Sequence, residues 1–155
     1  MKKAFTMLEL VFILVILGIL AAIAIPKISA SREDAKIVAY KNDISALKSS
    51  LPAFFLAQGK GNFKSAITLS HSNWKVQDFA ISSTLENKNK QACVEVKLLS
   101  NENGTLATRD EDVKFLQLTA NDTPKADGDT CEKLISQSGL ERTQIIPLLS
   151  SSIVF

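Results

Sequence analysis

With 155 residues and a mass of 16.9 kDa, the chain has room for one ordinary folded unit and not for a second independent core. Its net charge of +2 comes from 18 Lys plus Arg against 16 Asp plus Glu, and the two totals become equal once Lys2 and Lys3 are set aside, so no broad positive surface exists for the phosphates of nucleic acid. Two cysteines (Cys93 and Cys131) and one histidine (His71) exclude the familiar four-ligand zinc sites and leave a disulfide or two free thiols.

The apolar residues are unevenly spread. From Leu10 to Ile25 there are 16 residues without a charge, and from Phe5 to Ile25 the only ionisable side chain is Glu9. Such a stretch is close to the roughly 20 residues that a helix needs to cross a bilayer. Lys2 and Lys3 would stay in the cytoplasm by the positive-inside tendency, which puts the rest of the chain on the far side. Three readings compete. One is a cleaved secretory signal, with small residues at Ala22 to Ala24 and Ser29 to Ser31. Another is a permanent single-span anchor whose Glu9 snorkels to the headgroups. The third is a very short basic leader cut just before the apolar run. A carboxylate costs about 2.5–3.5 kcal/mol at a membrane centre and less near an interface, so Glu9 calls for a partner.

The string Ala4-Phe5-Thr6-Met7-Leu8-Glu9-Leu10, followed by Val11 to Ile25 and then Pro26, resembles the N-terminal motif of type IV pilins and of the pseudopilins of type II secretion and DNA-uptake machines. The resemblance covers about the first 50 residues. It implies cleavage between Ala4 and Phe5 by a prepilin peptidase, and N-methylation of Phe5. Ala4 departs from the family, which usually has Gly there; Ala is the mildest replacement. In an assembled filament the Glu9 carboxylate of one subunit is expected to meet the Phe5 amine of a neighbour, neutralising two groups that are costly to bury alone. The expected location is the bacterial inner membrane, single-pass, with the C-terminal domain in the periplasm. The implied partners are copies of the chain and other pilin-like subunits, membrane lipid before assembly, the peptidase, an assembly ATPase and an inner-membrane platform protein.

Beyond Pro26, apolar residues recur at Ile37, Tyr40, Ile44, Leu47, Leu51 and Phe54, in steps of three and four that define one helical face. Arg32, Glu33, Asp34, Lys36, Lys41, Asp43 and Lys48 supply a solvated face. Pro52 places the helix end near Leu51, or after one kinked turn at Leu56; Pro26 and Gly18 are candidate bends. Strands are predicted at Ala92 to Leu99, where period-two alternation is clear, at Thr105 to Thr108 after the turn Asn101-Glu102-Asn103-Gly104, and at Val113 to Leu118. Residues 62–90 and 127–155 carry no decisive pattern, although Ile145 to Phe155 reads as a last strand or a packed tail.

The expected fold is α+β: a long N-terminal helix, transmembrane in its first half and amphipathic in its second, packed on a small antiparallel sheet, as the resemblance also implies. The expected segments are a leader at 1–4, a transmembrane and polymerisation helix at 5–26, the amphipathic part at 27–56 and a globular head at 57–155. On the exported side Cys93 and Cys131 are expected to form a disulfide closing a 39-residue loop. The runs Arg109-Asp110-Glu111-Asp112 and Asp127-Gly128-Asp129 raise calcium, but neither has EF-hand spacing and a solvated turn is favoured, so no cofactor is expected. His71 among Ser70, Ser72 and Asn73 reads as a surface residue, and Trp74, Phe79, Phe54 and Phe55 read as core aromatics. No phosphate loop, dinucleotide fingerprint, nucleophile elbow or HExxH occurs, so no enzymatic activity is expected. The sequence therefore points to a structural filament subunit. The competing class is an exported binding protein, single-span or signal-cleaved, such as an adhesin or DNA-uptake receptor at a filament tip.

Overall fold

The computed structural model describes residues 6–149; within the first helix, residues 23–31 are described by their backbone alone. The chain divides into two compact units, Met1–Lys36 and Ile37–Phe155. Helix α1, Met7–Gln58, passes through both. The second unit adds a short helix α2 (Phe63–Ala66), strands β1 (Trp74–Val76), β2 (Ala80–Ser83), β3 (Val94–Leu99) and β4 (Phe115–Ala120), helix α3 (Thr130–Ser138) and strand β5 (Gln144–Pro147). All five strands run antiparallel in the order β1-β2-β3-β4-β5, so each pairs with its neighbours in the chain and no crossover is needed. The expected α+β architecture, a long N-terminal helix with an antiparallel sheet, is present.

The core of the second unit forms on the helical stripe. Ile37, Tyr40, Ile44, Leu47 and Leu51 are buried, together with Ile81 from β2, Val94, Val96 and Leu98 from β3, Leu116 and Leu118 from β4, and Leu134 and Ile135 from α3. Period-two alternation puts Val94, Val96 and Leu98 inward while Glu95 and Lys97 face outward, where they pair at 2.8 Å. The helix does not stop at Leu51: it runs through Pro52 to Gln58. A proline ring removes one N–H and crowds the carbonyl four residues back, yet Phe55, one turn beyond Leu51, is fully buried and holds the last turns in place. Phe55 thus completes the stripe where periodicity predicted Phe54. Phe54 lies partly buried beside it, with the rings edge to face at 5.5 Å.

The predicted return strand at Thr105 to Thr108 is absent. That segment makes one isolated bridge, Leu99 to Leu106, on the edge of β3 shared with β2, where the Leu98 N–H donates to the Phe79 carbonyl and the Leu98 carbonyl accepts from the Ala107 N–H; β4 pairs along the other edge in a six-residue register from Val94–Ala120 to Leu99–Phe115. The third predicted strand is real but begins two residues later, at Phe115. The two segments without a decisive pattern supply α2, β1, β2, α3 and β5. Helix α3 is bounded by local signals: Asp129 and Glu132 form a reciprocal capping box, and Gly139 closes the helix in the left-handed region at φ 67°. At Gly61, φ is 152° and a Cβ would strike the Phe54 ring, so the exit from α1 requires glycine.

Two connections tie the elements across the core. Cys93 and Cys131 are disulfide-bonded, joining the residue before β3 to the first turn of α3 with Cα atoms 5.6 Å apart. The Tyr40 hydroxyl reaches the far ends of β1 and β2: it donates to the Asn73 carbonyl at 3.0 Å, lies 2.9 Å from Thr84 Oγ1 and accepts from the Leu85 N–H at 3.1 Å. Trp74 packs edge-on against Tyr40 at 5.4 Å, and its Nε1 donates to Asp43 Oδ2 at 2.8 Å.

Tyr40→Phe removes the hydroxyl and leaves the Leu85 N–H without its partner, while the Asn73 carbonyl keeps the Thr84 N–H. A loss of about 1–3 kcal/mol is expected, read as a lower denaturant midpoint at unchanged slope. Reduction of the disulfide should cost more, roughly 4 kcal/mol by the chain-entropy argument for a loop of this size, read as a lowered melting midpoint.

Candidate functional site

The first unit presents the chain's outstanding surface. Every described side chain from Thr6 to Ala22 is exposed, including Leu8 at 81%, Phe12 at 66% and Ile19 at 60%. These residues lie all around the helix rather than on one stripe, so no face of it is set aside for water. Apolar exposure of this extent marks a surface that something else covers. Among the described residues no helix is long and apolar enough to cross a membrane. The expected span at 5–26 includes Phe5 and the side chains from Ile23 onward, which lie outside them.

Glu9 sits in the first turn of α1, exposed, with Leu8, Val11, Phe12 and Val15 around it. Its backbone N–H donates to Thr6 Oγ1 at 3.3 Å and to the Thr6 carbonyl at 3.1 Å, so Thr6 caps the helix start. The spacing Thr6-x-x-Glu9 is the capping-box pattern, a signal legible in the sequence. A carboxylate in this turn is also favoured by the positive end of the helix dipole. Glu9 therefore has a local reason to be at the helix start, and its position leaves the carboxylate open to a second molecule. The proposed cleavage and methylation positions, Ala4 and Phe5, lie outside the described residues. At Pro26 the backbone is helical, and α1 is not interrupted there.

Of the two acidic runs, the first forms a 3-10 turn, Asp110–Asp112, in which Arg109 Nε donates to Asp112 Oδ2 at 3.1 Å. The second meets Asp122 and Glu132. Carboxylate oxygens of Asp122, Asp129 and Glu132 lie within 4.8 Å of one another, whereas Asp127 is exposed and outside the group. A cationic group already serves this cluster: Lys88 Nζ is 2.9 Å from Glu132 Oε1 and 3.8 Å from Asp129 Oδ2. Glu132 Oε2 also accepts the Asp129 N–H at 2.8 Å, and a Cβ at Gly128 would run into the Glu132 side chain. The arrangement is a helix cap with a lysine counter-ion, and its carboxylates are engaged in that task. His71 is exposed in the turn before β1, and Trp74 is buried in the core, with Phe79 packed against its edge.

No family model matches the chain, and no solved structure matches it. Over 55 residues it is 36% identical to the type II secretion system core protein G of Pseudomonas aeruginosa, a match covering 36% of this chain and 39% of that protein. The match thus spans about two-fifths of the length of that curated relative, and it supports a relation to the pilin and pseudopilin family.

The Lys88–Glu132 pair gives this region a pH dependence with a definite sign. The Lys88 hydrogen bond, then the Asp129 N–H, hold the Glu132 carboxyl below its usual range. A carboxyl with a depressed folded-state pKa contributes stability that is present above its unfolded value, about 4.3, and is lost as pH falls through the folded value. Stability followed by circular dichroism should therefore fall in wild type as pH drops below about 4.3, and Glu132→Gln should flatten that slope. An unchanged slope would remove Glu132 from the account.

Proposed function

We propose that this chain is a structural, non-enzymatic subunit of a pilus-like or secretion-pseudopilus filament, processed at its N-terminus and assembled from the bacterial inner membrane. The observation that carries this reading is the uncovered apolar helix from Met7 to Ala22, with one carboxylate at its start, on a chain whose second unit packs its own core. The identity shared with a type II secretion core protein supports the same reading.

The physical logic is sequential. Residues 5–26 are held in the bilayer before assembly, with Lys2 and Lys3 on the cytoplasmic side and the second unit in the periplasm. A prepilin peptidase removes Met1 to Ala4 and methylates the Phe5 amine. Lateral packing of Leu8, Phe12, Val15 and Ile19 against the same residues of other copies then replaces lipid with protein, at about 25 cal/mol for each Å² of apolar surface that would otherwise meet water. Glu9 meets the Phe5 amine of a neighbour, and because an unpaired charge among these side chains is costly, the pair fixes the register of one copy on the next. A cytoplasmic ATPase and a membrane platform protein supply the work of extraction.

Mass spectrometry of the mature chain tests the processing step. The expected result is loss of Met1 to Ala4 with a methylated Phe5, and cleavage near Ala24 or Ala30 would overturn the reading in favour of a released exported domain. Glu9→Ala should leave helix content and membrane insertion intact while filament incorporation is lost. Incorporation at the wild-type level would confine Glu9 to its role at the helix start.

A further inference from the structure

The turn from Asn101 to Gly104, between β3 and the bridge residue Leu106, carries a reactive pair that the filament reading does not use. Asn103 is followed by Gly104, and both are exposed. Among the described residues the Asn103 side chain makes no hydrogen bond, and the Gly104 N–H donates none. Gly104 lies at φ 89° with no other group within 4 Å of where a Cβ would stand, so nothing crowds its nitrogen against the neighbouring side chain.

The turn around the pair is nevertheless ordered. Asn101 Oδ1 accepts the N–H groups of Asn103 at 3.1 Å and of Thr105 at 3.2 Å, and the Ser100 N–H donates to the Thr105 carbonyl at 2.9 Å. These bonds occupy the amide hydrogens on either side of Gly104 and leave its own free.

Such a pair can react within itself. When hydroxide takes the Gly104 amide proton, the nitrogen attacks Asn103 Cγ: the new N–Cγ bond closes a succinimide ring, the Cγ–Nδ2 bond breaks, and the departing nitrogen takes a proton from water and leaves as ammonia. Water then opens the ring. Cleavage of the N–Cγ bond yields an aspartate, whereas cleavage at the main-chain carbonyl yields an isoaspartate, whose main chain runs through the former side chain and is longer by a carbon. The balance is hydrolysis of an amide, with water as the only co-reactant.

The fold withholds the same reaction elsewhere. After Asn62, Asn73 and Asn89 the next N–H is already donated, by Phe63 to the Asp78 carbonyl, by Trp74 to Ser70 and by Lys90 to Asn87. The side chains of Asn87, Asn101 and Asn121 are held by hydrogen bonds, and Asn42 lies within α1. Asp127-Gly128 has the same spacing, but the Gly128 N–H donates to the Lys125 carbonyl at 3.3 Å and a Cβ there would strike Glu132.

We propose that Asn103 is a site of spontaneous deamidation in the folded chain. Each conversion places a new carboxylate beside Glu102 and takes the Asp plus Glu total from 16 to 17, against 18 Lys plus Arg. The isoaspartyl product also shifts the chain out of the register that Asn101 clamps, so the Ser100–Thr105 bond and the Leu99–Leu106 bridge open while the β3–β4 ladder stays closed. The reaction is independent of the filament reading.

Incubation of the full-length chain in detergent, in mildly alkaline and mildly acidic buffer, followed by peptide mass spectrometry, tests the site. The acid product at Asn103 is expected to form about tenfold or more faster than at any other asparagine, at a rate that rises with hydroxide concentration. A protein isoaspartate methyltransferase with a labelled methyl donor should mark the same peptide, and Asn103→Gln should remove both signals. The same incubation in urea reads what the Asn-Gly pair does without the fold. Conversion of Asn103 in urea but not in the native chain, or conversion spread evenly over the asparagines of the native chain, overturns the proposal. Hydrogen exchange at Ser100 and Thr105 should be faster in the isoaspartyl fraction than in the Asn103→Asp variant, with Val94 to Leu98 unchanged; equal exchange in the two would reject the opening of the turn.

Discussion

A single helix supplies the surface on which the second unit is organised. Between Ile37 and Phe55, α1 buries a side chain every three or four residues, and the inward-facing residues of β2, β3 and β4 meet that stripe in one continuous core. A five-stranded meander has only one face to cover, and a single helix with Leu134 and Ile135 of α3 beside it is enough to do so. Everything downstream follows from keeping that stripe intact, including the passage of the helix through Pro52. The cost of a proline in the helix interior is local, whereas withdrawing Phe55 would open the centre of the core.

Because the stripe is apolar, the polar fastenings lie at its borders. Tyr40 reaches the loop ends of β1 and β2 with one hydroxyl, and Trp74 spends its N–H on Asp43 of the helix. On the other side, the turn after β2 is held by Asn87: its Oδ1 accepts from the Asn89 and Gln91 N–H groups, and its Nδ2 donates to the Asn121 carbonyl at 2.6 Å. Asn121 in turn donates to the Ala92 carbonyl, next to the disulfide. A buried amide pays its desolvation only when its hydrogen bonds are met, which these are; no buried side-chain polar atom lacks a partner among the described residues.

The first unit obeys the opposite rule. Its apolar side chains from Met7 to Leu20 are covered by nothing of their own, so their free energy is settled by lipid or by other copies. A chain built in this way separates two tasks along one helix. The C-terminal stretch makes a unit that satisfies itself, and the N-terminal stretch stays incomplete until it meets a partner.

The sequence by itself determined the elements whose signal is periodic and local. Sixteen uncharged residues, a stripe at steps of three and four, and alternation over Val94 to Leu99 each follow from the geometry of one helix or one strand, and the structure has each of them at those residues. The capping pairs Thr6-x-x-Glu9 and Asp129-x-x-Glu132 are equally local signals. Tertiary structure decided what no window of residues contains. Strands of three or four residues, such as β1, β2 and β5, are too short for alternation to distinguish them from turns, and they exist because neighbouring strands offer hydrogen bonds. Thr105 to Thr108 had the residues of a strand but makes a single bridge, on the edge of β3 where β2 already pairs, and its Leu106 stays exposed. The end of α1 beyond Pro52 is likewise a property of packing, fixed by the burial of Phe55 in the core.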